Sequence, residues 1–251
     1  MTSLASIVSL LDRELTANFA DSSNNGLQVQ NSGRVRKICT GVDASLPFFE
    51  QAAQRGANLV ITHHGLSWGD QLKYITGLNY RRISFLVQHD IALYASHLPL
   101  DAHPQYGNNA CLCRALGLRQ LRPWGDYKGG KVGLRGTLPA TMPLTQFVKR
   151  VEKVVGNQAQ VMAYGQKSVR TVAMVVGGGA LGLDHAAADG VDVYLSGEPS
   201  LTAHNLAAET QTTAIFAGHY ATESFGVQAL GALLHRRFRL PVEFIPMGIE
   251  Y

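Results

Sequence analysis

Residues 52–64 read AAQRGANLVITHH, and the same pattern returns at residues 186–198, which read AAADGVDVYLSGE. In both stretches, small residues lead to a glycine, an amide or acidic residue, an apolar run, and then Thr or Ser followed by polar groups. Repetition of this kind indicates a fold unit that occurs twice in one chain. We therefore predict an internal duplication.

A second pair of segments repeats and ends in polar groups. Residues 92–97 (ALYASH) are matched by residues 214–219 (AIFAGH). In each copy a carboxylate follows the histidine by four residues, Asp101 in the first and Glu223 in the second. Because both copies place imidazole and carboxylate groups beyond a strand, we predict one site to which both copies contribute.

Strand-like apolar runs alternate with helical segments in both copies. The first copy has strands and helices in turn, with strands at 38–42, 59–62 and 92–96 and helices at 47–55 and 83–89. The second copy repeats this order over residues 171–245. Such alternation is typical of α/β proteins, so we predict two similar α/β units with mostly parallel sheets flanked by helices.

The segment between the copies has no counterpart elsewhere. Residues 125–167 begin with Gly-rich turns and continue into a helical pattern at 144–155, and their normal apolar content argues against disorder. We predict three regions: a first α/β repeat unit over 1–124, a connector or insert over 125–167, and a second α/β repeat unit over 168–251.

The composition favours an oligomer in a reducing compartment. Charged residues are 16% of the 251 residues, below the usual level of about a quarter, so we expect subunit contacts to cover part of the surface. The net charge of +4 is mild and the basic residues are scattered, unlike the basic patch of nucleic-acid-binding proteins.

Three cysteines give no disulfide framework, and no apolar run is long enough to cross a membrane. We predict a cytoplasmic homo-oligomer without membrane attachment.

Polar groups that bind metals gather beyond the carboxyl ends of the predicted strands, the usual place for functional sites in α/β sheets: His63, His64, His97, Asp101, His219 and Glu223. Imidazoles and carboxylates together bind Zn²⁺, Mn²⁺ or Fe²⁺. Neighbouring side chains of an extended segment point to opposite sides, so His63 and His64 suit two ions better than one. The remaining histidines lack this matched placement, and we expect structural or solvated roles for them: His89, His103, His185, His204 and His235.

Other motifs exclude several enzyme classes. Residues 177–179 are three glycines after a predicted strand, which leaves open either a phosphate contact at a helix start or a tight turn. The triplet is not a Walker loop, and no Gly-x-Ser-x-Gly elbow of a serine hydrolase occurs. Cys111 and Cys113 lie two residues apart on a helical segment and point apart, so we expect core positions rather than a metal site.

Taken together, the motifs resemble those of the NIF-three-like family, whose bacterial members are called GTP cyclohydrolase 1 type 2 homologues. The matching segments are NGLQV at 25–29, HHG at 63–65, SHLPLD at 96–101, GNN at 107–109 and GHYATE at 218–223. The resemblance spans nearly the whole chain, without the long domain that some members insert mid-chain. It implies two interlocked α/β units with the metal site between them, and a ring-shaped homohexamer.

The resemblance also implies a ligand assignment for two divalent ions per chain, Zn²⁺, Mn²⁺ or Fe²⁺. His63 and His219 would hold one ion, His64 and Asp101 would hold the other, and Glu223 would bridge them. The same resemblance leaves His97 as a further ligand or a neighbour of the ligands.

Two functions remain open. The leading expectation is a metal-dependent hydrolase on a nucleotide-like substrate, with purine-ring opening as the named candidate, because paired ions activate water near neutral pH. His97, if it is not a ligand, would shuttle the proton, since histidine titrates near working pH. The alternative is a non-catalytic ring-shaped scaffold or regulatory protein that binds a macromolecular partner such as DNA.

Overall fold

The computed structural model describes residues 2–250, which form two compact units. The first unit runs up to Leu100 and resumes over Gly226–Gly248, and the second comprises Asp101–Phe225 and the residues after Gly248. In chain order, the elements are β1 (Thr2–Ser3), α1 (Leu4–Glu14), β2 (Gly26–Val29), β3 (Arg34–Val35), β4 (Ile38–Asp43), α2 (Leu46–Gln54), β5 (Leu59–His64), α3 (Gly77–Gln88), β6 (Ala92–Ala95), α4 (Leu98–Asp101), α5 (Asn108–Ala115), β7 (Arg119–Tyr127), β8 (Gly130–Pro143), α6 (Leu144–Val155), β9 (Gln160–Ala163), β10 (Ser168–Met174), a 3-10 turn (Ala180–Gly182), α7 (Leu183–Ala188), β11 (Val193–Ser196), α8 (Leu201–Thr210), β12 (Thr213–Phe216), α9 (His219–Phe238) and β13 (Val242–Phe244).

The first unit is built on a five-stranded sheet in the order β13-β4-β5-β6-β2. Strands β13, β4, β5 and β6 run parallel, and β2 is antiparallel to β6 at the edge. The central strands are buried on both faces, and Val60, Ile61 and Leu93 are 0% exposed. Continuous apolar runs of this kind are what parallel strands require, because helices cover both sides of the sheet.

Helix α2 packs against this sheet through its aromatic residues. Ser45 caps the helix by accepting a hydrogen bond from the backbone N–H of Phe48, and Pro47 occupies the first turn. Phe48 and Phe49 are fully buried in one apolar cluster with Val60 of β5. Burying each ring contributes roughly 1.5–3 kcal/mol, which holds β5 firmly in the sheet.

The second unit contains a six-stranded sheet in the order β7-β8-β10-β11-β12-β9. Strands β10, β11 and β12 are parallel, and the remaining neighbours pair antiparallel. The core between the sheet and α6 includes Phe147, Val151, Val172 and Leu195, all 0% exposed. The sheet therefore rests on a continuous apolar layer of its own.

The α/β fold class predicted from the sequence is confirmed, and the strand order recurs. In both sheets, three successive parallel strands lie next to an antiparallel edge strand. In the first sheet β2 pairs with the last strand of β4-β5-β6, and in the second sheet β9 pairs with the last strand of β10-β11-β12. Parallel pairs dominate the first sheet. The second sheet carries more antiparallel pairing, because the β7-β8 hairpin is added at its other edge.

The start of one helix differs from the sequence-based expectation. Helix α3 begins at Gly77, whereas the apolar spacing predicted helix only from residue 83. Its first turns expose Leu78 and Tyr80, so they lack the buried stripe that reveals a helix. Residues 125–167, predicted as a connector or insert, supply the end of β7, all of β8 and α6, and β9 within the second unit.

Over residues 2–250, none of the helices is long and apolar enough to cross a lipid bilayer.

We expect Gly41→Ala to lower the free energy of unfolding by roughly 1–3 kcal/mol, the usual effect of overpacking. A Cβ atom at Gly41 would lie 2.5 Å from Cε2 of Phe48, whose ring is fully buried. Urea denaturation measures the change. In the double variant with Phe48→Leu the total loss should be smaller than the sum of the two single losses, and strictly additive losses would contradict the clash.

Candidate metal centre

Three histidines of the first unit converge at the carboxyl ends of β5 and β6. His63 and His64 are the last two residues of β5, and His97 follows β6. One ring nitrogen from each lies within 4.8 Å of those of the other two. His63 is fully buried, and His64 and His97 are half-buried. Three imidazoles at this spacing form a group able to hold a metal ion.

Each of these rings is fixed through its Nδ1 atom. His63 donates to the backbone oxygen of Ser96 at 2.9 Å, and His64 donates to Oδ1 of Asp43 at 2.8 Å. His97 donates to Oδ1 of Asp21 at 2.9 Å. A histidine whose Nδ1–H is held by a carbonyl or carboxylate presents Nε2 as the ligand atom, which is the usual arrangement in metal sites.

Asp21 anchors His97 from a loop before β2. Its carboxylate also accepts hydrogen bonds from the backbone N–H of Ser23 and from the side chain of Asn25. Burial alone would raise the pKa of Asp21, but the hydrogen bond from His97, those from Ser23 and Asn25, and the charge of His97 lower that pKa well below its usual range. Asp21 is therefore ionised and holds the His97 ring in one orientation.

A second group of ligand-type side chains lies in the second unit. His219 starts helix α9, and Glu223 follows one turn later with its Oε2 at 3.0 Å from His219 Nε2. His219 Nδ1 contacts Oε1 of Glu198 at 2.5 Å. Burial alone would lower the pKa of His219, but the hydrogen bonds and charges of Glu223 and Glu198 raise it to about 9. The His219 imidazole therefore takes up a proton between two carboxylates.

Two buried carboxylates lie together in the same unit. Asp101 and Glu223 are only 4% and 2% exposed, and an oxygen of one is within 4.8 Å of an oxygen of the other. Asn108 donates to Oδ1 of Asp101 at 2.8 Å and sets its orientation. Two buried like charges at this distance repel each other strongly unless a cation compensates them. Asp101 and Glu223 are therefore candidate ligands for a cation.

The triple glycine next to this group provides space for it. Gly177 has a φ of +64°, a conformation that favours glycine. A Cβ atom there would overlap Oε1 of Glu223 and lie 3.0 Å from Nε2 of His219. The positive φ of Gly177 agrees with the tight-turn alternative, and any side chain there would displace the glutamate and the imidazole.

Comparison with known proteins gives the family. The sequence profile of the family described as Duf34/NIF3 (NGG1p interacting factor 3) matches residues 2–249. The chain belongs to the Duf34/NIF3 family. It is 43% identical over 233 residues to a Deinococcus radiodurans protein named GTP cyclohydrolase 1 type 2 homolog, covering 92% of this chain and 88% of that one. A protein of the same name from Archaeoglobus fulgidus is 39% identical over 243 residues, covering 96% and 97%.

Two solved structures share the fold of this chain. The structure of the protein ybgI, described as of unknown function, superposes with a TM-score of 0.92 at 33% identity and covers 100% of both chains. TTHA1606 from Thermus thermophilus gives a TM-score of 0.88 at 38% identity, covering 99% of this chain and 100% of that one. The family profile and the relatives confirm the resemblance predicted from the sequence.

The carboxylates that orient the histidines were not predicted. Asp43 ends β4 and lies opposite His64 at the end of the adjacent strand β5. Glu198 follows β11, and His219 follows the adjacent strand β12. The pairing of adjacent strands could therefore have indicated both carboxylates. Glu198 is also the last residue of the repeated stretch. Asp21 had no such signal, because it lies in a loop without a repeating pattern.

The histidines expected to be structural make local contacts in the Duf34/NIF3 fold. His89 stacks on Phe85 with ring centroids 4.0 Å apart, and His204 contacts Tyr164 edge-on at 5.7 Å. The others lie near an aromatic ring or a backbone oxygen: His103 at Tyr106, His185 at Trp124 and His235 at the oxygen of Leu240. Cys39 and Cys113 are buried as expected of core residues, and Cys111 is partly buried.

Proposed function

We propose that this Duf34/NIF3 protein binds two divalent metal ions and hydrolyses a nucleotide-like substrate. The observation that carries the proposal is the buried pair Asp101 and Glu223, whose oxygens lie within 4.8 Å of each other, as carboxylates that share a cation do. The oriented histidines support it, because each directs Nε2 away from its hydrogen-bonded Nδ1.

The proposed ligands are His63 and His219 for one ion, His64 and Asp101 for the other, and Glu223 as a bridge. Mixed imidazole and carboxylate donors suit Zn²⁺, Mn²⁺ or Fe²⁺. When bound, such ions lower the pKa of a water molecule towards neutrality and polarise the bond to be cleaved. Because each ion would have few protein ligands, coordination positions would remain for water and substrate. Such open positions are typical of catalytic rather than structural metals.

His97 is proposed to move the proton. Asp21 holds its Nδ1–H, so the proton is exchanged at Nε2. The ionised carboxylate of Asp21 keeps the His97 ring in place, so that Nε2 faces the group with which it exchanges the proton. In this role Asp21 is a positioning residue, and His97 returns the proton to the leaving atom.

The nucleotide substrate is the least constrained part of the proposal. It is supported by the name of the relatives that are 36–43% identical, GTP cyclohydrolase 1 type 2 homolog. Hydrolytic opening of a purine ring is the candidate reaction. The alternative, a scaffold that binds DNA, has the weaker support, because the net charge of +4 is small and spread along the chain.

We expect Glu223→Ala to reduce bound metal more than any other ligand substitution, by roughly half or more, because a bridging carboxylate serves both ions. Elemental analysis of purified protein measures the metal content. Glu209→Ala is the matched control, since Glu209 is an exposed glutamate on α8. Full metal content in Glu223→Ala would refute the bridging role.

We expect the metal-loaded protein to hydrolyse a nucleotide, to lose this activity with a chelator and to regain it with Zn²⁺ or Mn²⁺. His97→Ala should slow turnover by about a hundredfold or more while retaining its metal, because only proton transfer is impaired. A liquid-chromatography screen of GTP and related nucleotides measures the products. If the fully metallated protein leaves all of them unchanged, the hydrolase is wrong and the scaffold alternative is favoured.

We also propose a homohexameric ring, which accords with the 16% charged fraction. Light scattering at micromolar concentration should return about six times the chain mass of 27.1 kDa. A mass near that of one chain would contradict an oligomer of any kind.

A further inference from the structure

Asn109 joins three segments of the second unit through one buried side chain. It is the second residue of α5 and is 0% exposed. Its side-chain nitrogen donates to the backbone oxygen of Asp101 at 3.2 Å and to that of Val132 at 3.0 Å. Its side-chain oxygen accepts from the backbone N–H of Val176 at 3.1 Å. The amide therefore bonds the residue that carries one buried carboxylate to two strands' worth of distant chain.

The three partners of this side chain require an asparagine. Two backbone oxygens need donors and one N–H needs an acceptor, and a primary amide supplies both. If the amide of Asn109 were turned over, its oxygen would face two carbonyl oxygens and its NH₂ group would face an N–H. Aspartate has the same shape but no donor, and leucine has neither donor nor acceptor. All three hydrogen bonds are buried, so water cannot replace one that is lost.

The neighbouring Asn108 completes the hold on Asp101. Asn108 donates to Oδ1 of the carboxylate at 2.8 Å, whereas Asn109 bonds the backbone oxygen of the same residue. Asp101 ends α4, a helix of four residues that is too short to be stable by itself. Two successive residues of α5 therefore fix both the main chain and the side chain of Asp101.

Thr222 makes the corresponding link next to Glu223. Its hydroxyl, fully buried near the start of α9, accepts from the backbone N–H of Gly177 at 3.1 Å. The hydroxyl proton is shared between two backbone oxygens at the start of the same helix. Gly177 follows Val176 directly, so residues 176 and 177 are bonded to Asn109 through one N–H and to Thr222 through the next.

The backbone oxygen of Gly177 adds a third acidic residue to this arrangement. It accepts from the backbone N–H of Gly197 at 3.0 Å and from that of Glu198 at 3.1 Å. The carboxylate of Glu198 in turn contacts Nδ1 of His219. Residues 176 and 177 thus have no ligand-type side chain of their own, yet they bond to the segments that carry Asp101, Glu198 and Glu223.

We propose that Asn109 and Thr222 are positioning residues, which set the separation of the Asp101 and Glu223 carboxylates by holding residues 176–177 between them. The carboxylate oxygens lie within 4.8 Å of each other, and the hydrogen bonds that fix this distance are buried. The inference rests on the proposed function, because it concerns residues that hold two of the proposed metal ligands without touching the metal. Replacing such supporting residues weakens metal binding by roughly tenfold to a hundredfold.

Titration of the purified protein with Zn²⁺ against a competing chelator tests the positioning role. Asn109→Leu and Thr222→Val should each raise the dissociation constant of Zn²⁺ by roughly tenfold to a hundredfold. Thr222→Ser keeps the hydroxyl and should restore the wild-type value. If Asn109→Leu fails to fold, the comparison of Thr222→Val with Thr222→Ser decides.

Asn58→Leu is the control for a loss of stability alone. Asn58 is also buried, and its side chain bonds three backbone groups of the first unit just before β5: the N–H groups of Arg36 and Lys37 and the oxygen of Arg34. The control variant should unfold at a lower urea concentration and bind Zn²⁺ as wild type does. Wild-type affinity in Asn109→Leu and Thr222→Val, or an equal loss in Asn58→Leu, would overturn the positioning role while the metal site stands.

Crystal structures of wild type and Thr222→Val, both grown with a chelator, separate this inference from the proposed function. The distance between the Asp101 and Glu223 oxygens should be larger in the variant, and an unchanged distance would overturn the positioning role. If wild type binds no Zn²⁺ or other divalent ion, the proposed function is contradicted, and the distances in the two crystals alone decide the role of Thr222.

Discussion

The buried carboxylates of Asp101 and Glu223 impose the main electrostatic constraint on this protein. Their oxygens lie within 4.8 Å of each other at positions that are 4% and 2% exposed, where water screens the repulsion poorly. The neighbouring residues act on this pair: Asn108 fixes one carboxylate, His219 contacts the other, and Gly177 leaves the space that they need. The pKa of His219 is raised to about 9 by Glu223 and Glu198, so a proton on this imidazole places positive charge beside Glu223.

The same solution for orienting a histidine occurs in both units. In the first unit, His64 at the end of β5 donates to Asp43 at the end of the adjacent strand β4. In the second unit, His219 after β12 contacts Glu198 after the adjacent strand β11. Adjacent parallel strands bring their carboxyl ends to one edge, so the repeated strand order places an imidazole and its carboxylate partner together in each unit.

The sequence predicted the parts of this arrangement that depend on periodicity. The apolar runs located β4, β5, β6 and their counterparts, and strand ends located the histidines, because buried parallel strands leave a strong pattern. The partner of His97 could not be predicted, since Asp21 reaches it from a loop by hydrogen bonds between residues 76 positions apart. The close packing of Gly177 against Glu223 and His219 could also not be predicted, because it depends on the three-dimensional contacts of the triple glycine.

We propose that two metal ions are held through the Nε2 atoms of histidines whose Nδ1 atoms are already bonded. Anomalous X-ray diffraction at the metal edge, on crystals grown with Zn²⁺ or Mn²⁺, tests this most directly. We expect two anomalous peaks per chain, with His63, His64 and His219 coordinating through Nε2. A chain with no peak, with a single peak, or with coordination through Nδ1 would contradict it.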